Sequence, residues 1–303
     1  MIHGYPVIDA HAHIMPMRMI KPGPLAEWRK TYGDKVAEIQ ETLEDPAKLL
    51  AHLDREGIDK VVCINYIARD LFGFTEEVHD YVVELCRHAP DRLLPCGSVD
   101  PVYSKDLARD TEQLIHHYKI KLLKVHGPHA GYHPDDYLRD KPMLAKFYAL
   151  AEEAGVPVMV HTGTSIFPGA RSKYGHPMAI DDIAIDFPNL KIIMAHGGRP
   201  LWMAEAFFLM RRHENVYMDI SGIPPKLLLS YFPRIEEIAD KTMFGTDWPS
   251  PGIPGMRVNA EAVIKLPLSE ESKGGWRIFK PKPVNTPRKV LSMSRHSVKS
   301  MTT

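Results

Sequence analysis

The sequence predicts a (β/α)8 barrel, and three observations carry that expectation. Short apolar runs recur eight times, helix-length amphipathic stretches separate them, and the glycine-rich turn expected of an open dinucleotide-binding sheet is absent. In chain order the runs are Pro6 to His13, Ile58 to Asn65, Arg92 to Val99, Lys119 to His126, Val156 to His161, Lys191 to His196, Asn215 to Ser221 and Thr242 to Asp247. Eight strands in about 250 residues suit a closed barrel better than an open doubly wound sheet.

Helix signals follow each of the first seven runs. Asp45-Pro46 opens a helix that closes at Gly57, Thr75-Glu76-Glu77 opens one that ends before Pro90, and Asp140 opens one that ends at Gly155. The first run is complete by residue 13, so residues 14 to 45 read as a long insertion after strand one. An insertion there lies on the face where barrel enzymes carry their active sites.

Composition narrows the function classes. With 303 residues, 44% hydrophobic and 25% charged, the chain has the profile of a soluble globular protein. No apolar stretch approaches the roughly 18 to 20 residues of a bilayer span and no signal-peptide pattern is present, so a cytoplasmic location is expected. Cys63, Cys86 and Cys96 are too scattered for a disulfide framework and are expected as reduced, buried residues. Lys+Arg and Asp+Glu both number 38, which offers nucleic acid or an anionic membrane no overall basic field. The balance hides an asymmetry: Lys273 to Thr303 holds eight basic residues and no acidic one, leaving 30 basic against 38 acidic residues upstream. That segment also loses helical periodicity. The expected division is a barrel over 1–272, with the 14–45 insertion, and a basic, disordered tail over 273–303.

Several runs end on histidine or aspartate where a buried strand should end on turn residues. Side chains alternate along a strand, so Asp9, His11 and His13 share one face, as do Leu122, Lys124 and His126. His161, His196 and Asp247 close their own runs. Facing inward, these groups converge at the C-terminal mouth of the barrel. Buried polar groups need compensation, and a divalent metal supplies it, because neutral imidazole and carboxylate are standard ligands. His11 and His13, two apart on a strand, can chelate one ion. Each residue alone has a plainer reading: His161 or His196 as a core or loop histidine, Asp247 as a helix N-cap. Lys124 and His126 read equally as a hydrogen-bonded pair at the mouth. The joint placement of three strand-end histidine positions and an aspartate favours the metal.

The motifs IDAHAHIMP, KVHGP, VPVMVHTGT, NLKIIMAHGG and MFGTDWPSPG, in that order over residues 5 to 260, make the chain resemble the amidohydrolase superfamily. Within it, the resemblance is to the amidohydrolase-related branch that includes aminocarboxymuconate-semialdehyde decarboxylase. It implies that His11, His13, His161 and Asp247 are metal ligands and that His196 acts on substrate or water. Lys124 sits on the strand whose lysine is carboxylated and bridges two metals in many superfamily members, although this branch usually carries one metal. Relatives usually close with a further helix, whereas here LPLSEES runs into GGWRIFKPKPVNTPRKV, as an altered reading frame would produce.

The leading expectation is a metal-dependent hydrolase of a small amide, ester or lactone bearing a carboxylate, with one divalent ion, zinc or alternatively manganese. The metal lowers the pKa of bound water toward roughly 7, Asp247 takes the water proton, and His196 moves a proton with a pKa near working pH. Lys124, His126 and Arg199 hold the carboxylate or oxyanion of the substrate. The alternative is nonoxidative decarboxylation at the same metal, with water or His196 protonating the carbon. A second alternative is an inactive metal-binding barrel impaired by its C-terminus. The expected partner is a small molecule, with a homodimer left open and neither nucleic acid nor membrane involved. Substrate choice falls to residues 14–45, 127–136 and 162–177.

Overall fold

The computed structural model describes residues 1–275, and all eight apolar runs contain strands. They are β1 (Ile8–Ala12), β2 (Lys60–Cys63), β3 (Leu93–Ser98), β4 (Leu122–Val125), β5 (Val158–His161), β6 (Ile192–Ala195), β7 (Val216–Asp219) and β8 (Thr242–Met243). Each strand pairs in parallel with the next, in the order β1 to β8. Backbone hydrogen bonds close the cylinder: Ala10 N to Phe244 O (2.9 Å), Asp247 N to His11 O (2.7 Å) and His13 N to Trp248 O (2.7 Å). The expected eight-stranded α/β barrel is the observed one.

Two departures from regular strand geometry lie beside β1. The pairing of β1 with β2 shifts between Asp9 and Ala12, a bulge of the kind that bends a strand and re-aims its side chains. The eighth run, expected to reach Asp247, keeps only two ladder residues. Its remainder crosses β1 irregularly, and Gly245 passes so close that a Cβ there would stand 2.8 Å from His11 Cβ.

The helices are α1 (Pro22–Tyr32), α2 (Lys35–Glu44), α3 (Pro46–Glu56), α4 (Glu77–Arg87), α5 (Leu107–Glu112), α6 (Gly127–Ala130), α7 (Met143–Glu153), α8 (Ala179–Asp186), α9 (Met203–Arg212), α10 (Pro225–Tyr231), α11 (Met256–Ile264) and α12 (Glu270–Gly275). Asp45 caps α3 as its sequence implies, its carboxylate accepting from Ala47 N and Lys48 N, and Gly57 ends the helix in the left-handed region. The helix expected from Asp140 starts at Met143 because Pro142 occupies the cap position. The insertion after β1 folds into α1 and α2. Within α1 the buried Trp28 donates its indole N–H to Pro249 O (2.9 Å), tying the insertion to the mouth of the barrel.

Near the chain start Ile2, Val7 and Phe244 are buried, and α11, which follows β8, sets Ala260 and Val263 beside Val7 and Phe244 around a small void of about 50 Å³. Residues 273–275 belong to α12, and the rest of the expected tail, residues 276–303, lies outside the described residues. Cys63, Cys86 and Cys96 are free thiols and buried. Among the described residues no helix is long and apolar enough to cross a membrane.

Helix α4 buries Val78, Val82, Leu85 and Cys86 along one face, and His79 lies with them. Its Nε2 accepts from Ser98 N (3.2 Å), which requires that nitrogen to be unprotonated, and burial lowers its pKa from 6.5 to about 4. A folded-state pKa below the unfolded value stabilises the fold above pH 6.5, and this contribution is lost as pH falls toward 4. Urea unfolding at pH 7 and pH 5 is therefore expected to show that His79→Gln loses about 2 kcal/mol less stability than the parent over that interval. Identical losses would show that His79 is not a buried neutral acceptor.

Candidate metal centre

The eight residues singled out in the sequence gather at the C-terminal end of the barrel, on a cavity of about 390 Å³ or just beneath it. His13, His126, His161, His196, Arg199 and Asp247 line the cavity. His11 and Lys124 lie under its floor, both essentially without solvent exposure. Lys124 Nζ stands 3.4 Å from His11 Nε2, so this lysine meets the histidine cluster and does not line the cavity. Burial lowers its pKa from 10.5 to about 8, partly offset by Asp219 and Asp247.

Ligand atoms of His11, His13 and Asp247 all lie within 4.8 Å of one another. Asp247 Oδ1 is 3.0 Å from His13 Nε2 and 3.6 Å from His11 Nε2, yet it is buried without an aligned hydrogen bond. His161 stands outside this tight triad, its ring 4.8 Å from that of His196 and 4.0 Å from that of His126. Both of its nitrogens are buried and have no hydrogen-bond partner among the described residues. Such orphaned acceptors carry a desolvation cost that a cation would remove, so the donor set fits a divalent ion.

The protonation pattern supports that fit. Burial pushes the pKa of His126, His161 and His196 well below 6.5 and that of His11 to about 4, leaving neutral imidazoles. Burial opposes ionisation of Asp247, but His196, His13 and His11 outweigh it and hold the carboxyl well below its usual range. Arg199 Nη2 lies 3.3 Å from Asp247 Oδ2. The near-neutral pKa expected for His196 is thus corrected: with no solvent to stabilise imidazolium, the ring stays neutral. Both His196 and Asp247 adopt left-handed backbone conformations (φ 66° and 71°), strain of the kind that accumulates at functional sites.

Sequence reasoning passed over Asp219, the last residue of β7, although a carboxylate near a strand end is the same signal that marked Asp247. Its Oδ2 accepts from His11 Nδ1 (2.8 Å), and its Oδ1 accepts from His196 N (3.1 Å), Ser221 N (3.0 Å) and the Ser221 hydroxyl. His196 Nδ1 is 3.0 Å from the carbonyl of Ser221, which can only accept. Both rings therefore carry their proton on Nδ1 and present an Nε2 lone pair, the outer hydrogen bonding common behind metal-binding histidines. His11, His196 and Asp219 also form a compact group, but hydrogen bonds already satisfy it.

Tyr66, His129 and Ser165 were also missed, each lying in a loop or short helix without periodicity to mark it. The Tyr66 hydroxyl is 3.0 Å from His129 Nδ1, and His129 Nε2 is 2.7 Å from Ser165 Oγ. Trp28 and Phe167 stack above them at 5.0 Å between ring centres, with Phe72 set edge-on to both. The loops expected to shape the cavity supply Met15, Trp28, His129 and Phe167; residues 220–226 and 250–254 contribute as well.

A closed β/α barrel with histidines and an aspartate clustered at its C-terminal mouth defines a class of site built to hold a metal. The chain belongs to the amidohydrolase family, in its amidohydrolase 2 branch, whose model matches residues 8–273. No curated protein matches the sequence significantly. Among solved structures, the chain is similar to an uncharacterized TIM-barrel protein from Bordetella bronchiseptica, with 22% identity and a TM-score of 0.68 over 89% of this chain and 95% of that one. It is also similar to 2,6-dihydroxybenzoate decarboxylase complexed with 2,6-dihydroxybenzoate, with 18% identity and a TM-score of 0.64 over 90% and 96%. A third is 5-carboxyvanillate decarboxylase from Novosphingobium aromaticivorans, complexed with manganese and 4-hydroxy-3-methoxy-5-nitrobenzoic acid, with 18% identity and a TM-score of 0.62 over 90% and 94%. At these identities the likeness establishes the fold.

Proposed function

We propose that this protein is a metal-dependent nonoxidative decarboxylase of small aromatic carboxylates, the alternative of the sequence reading rather than its leading hydrolase. The observation that carries this reading is the ring-lined cavity directly above the His13 and Asp247 pair. Trp28, Phe167 and Tyr66 form an aromatic wall suited to a planar ring, while Arg199 offers a cation for its carboxylate. The cavity volume falls within the roughly 300 to 1,000 Å³ of small-molecule sites. The decarboxylases of like fold, one bound to a dihydroxybenzoate and one to a nitrobenzoic acid, support the same substrate class.

His11, His13, His161 and Asp247 would hold the divalent ion, manganese or zinc, which when bound supplies Lewis-acid polarisation of substrate oxygens. Arg199, whose buried Nε has no hydrogen-bond partner among the described residues, would orient the carboxylate. The apolar wall strips water from that carboxylate, which favours its departure as uncharged CO2. His196 Nε2, which presents a lone pair, would accept a hydrogen bond from a ring hydroxyl. His126, stacked on His161, would position the latter, and Lys124 would place positive charge beneath the cluster.

The test is a substrate panel on manganese- or zinc-loaded protein, with CO2 detection beside assays for lactone, ester and amide cleavage. Hydroxylated benzoates are expected to release stoichiometric CO2, and in D2O the product is expected to carry deuterium at the vacated ring carbon. Hydrolysis of a lactone or amide with no CO2 from any acid would restore the hydrolase reading.

A further inference from the structure

Nonoxidative decarboxylation consumes one proton per turnover at the carbon that loses CO2, and two histidines of the cluster, His11 and His196, are poorly placed to give it. His11 and His196 spend their Nδ1 protons on Asp219 and on Ser221, and their Nε2 atoms are lone pairs. We propose that Tyr66 is the proton donor to that carbon and that His129 and Ser165 resupply it from solvent. This rests on the decarboxylase reading.

Three observations support the assignment. Tyr66 and His129 both line the cavity while being almost fully buried, with Tyr66 stacked on His126 (4.7 Å) and edge-on to His13 (5.8 Å). The donor is therefore beside the cluster where the substrate would sit. The hydroxyl of Tyr66, the two nitrogens of His129 and the hydroxyl of Ser165 form an unbroken chain at 3.0 and 2.7 Å. Its outer end, Ser165, is half-buried on the loop after β5 and accepts from Phe167 N (3.3 Å), and its rotatable hydrogen can be donated to His129 Nε2. The neutral ring then carries its proton on Nδ1 and donates to the oxygen of Tyr66, whose own hydrogen is free for the substrate.

The step balances. The bond from ring carbon to carboxyl carbon breaks, CO2 leaves, and the electron pair stays on the ring carbon. A C–H bond forms there with the Tyr66 hydrogen. The Tyr66 oxygen takes the proton of His129 Nδ1, His129 Nε2 takes that of Ser165, and Ser165 takes one from water. One proton has entered from solvent, and His129 is left in its Nε2–H tautomer, so the ring must exchange its protons with solvent to regain the Nδ1–H tautomer before the next turnover. Tyr66 is the catalytic residue in this scheme; His129 and Ser165 position and recharge it.

Tyr66→Phe removes one oxygen and keeps the stacking. In manganese-loaded protein it is expected to lower kcat for CO2 release by about a hundredfold, with KM and metal content unchanged and a lower melting temperature from the lost bond to His129. Adding His129→Gln to Tyr66→Phe is expected to cost little more, as for residues that act as one unit, and each single variant is expected to change the solvent deuterium isotope effect. A second readout needs no turnover: nitrogen-15 spectra of labelled histidine should show the His129 ring signals shifting in Tyr66→Phe and in Ser165→Ala. An unchanged kcat in Tyr66→Phe, or ring signals indifferent to both substitutions, would overturn the relay. Parent protein that releases no CO2 from any aromatic acid overturns the decarboxylase reading, and Tyr66 as its donor with it, whatever the ring signals show.

Discussion

Replacing His11 and His13 together with alanine is expected to reduce bound divalent metal from about one equivalent to near zero and to reduce turnover by at least about a thousandfold. The two rings offer neighbouring lone pairs within 4.8 Å of the Asp247 carboxylate, so their loss leaves His161 and Asp247 without a chelating partner. Every rate advantage that depends on Lewis-acid polarisation should go with the ion. Elemental analysis after exhaustive dialysis checks the first part, and CO2 release checks the second. Stoichiometric metal surviving in the double variant would sink the ligand assignment. Because both side chains are buried, a circular-dichroism melt must accompany the measurement, and a fold that persists without metal is the expected background.

Asp219→Asn is expected to weaken metal binding by about 10- to 100-fold while leaving the barrel folded. Asparagine keeps an oxygen that can accept from Ser221 N and His196 N, but its amide must then face His11 Nδ1. Two N–H donors cannot share that contact, so His11 is driven to the other tautomer and its Nε2 no longer offers a lone pair. Asp219→Ala is the harsher change. It strips acceptors from His11, His196, Ser221 N and the Ser221 hydroxyl at once, and it should cost about 3 kcal/mol or more. Metal titration of the two variants separates these effects: unaltered affinity in Asp219→Asn would show that the tautomer of His11 is not set from behind.

Local pattern carried much of the molecule. Strand positions were legible because each run is short, apolar and bounded by polar residues, and parallel strands of a barrel are buried on both faces. Strand-end histidines were legible for a geometric reason: a side chain at the C-terminal end of a barrel strand has one place to go, so His13, His161, His196 and Asp247 had to meet. The capping of α3 needed nothing beyond Asp45, Pro46 and Gly57.

Distance in sequence and burial decided the rest. Asp219 meets His11 across 208 residues and Tyr66 meets His129 across 63, pairings that no local period encodes. The neutrality of His196 follows from its burial, which a strand-end position does not reveal, and burial also put Lys124 under the floor where the sequence placed it at the mouth. β8 keeps two residues paired with β7, and from Phe244 to Trp248 the chain bonds β1 irregularly, an outcome of barrel closure. The sequence by itself determined which strand side chains share the face turned into the barrel, since strand period is a local property. Only the tertiary structure decided which nitrogen of each ring is free and which groups hold it, because hydrogen-bond partners and desolvation are set by chain segments that meet only when the barrel closes.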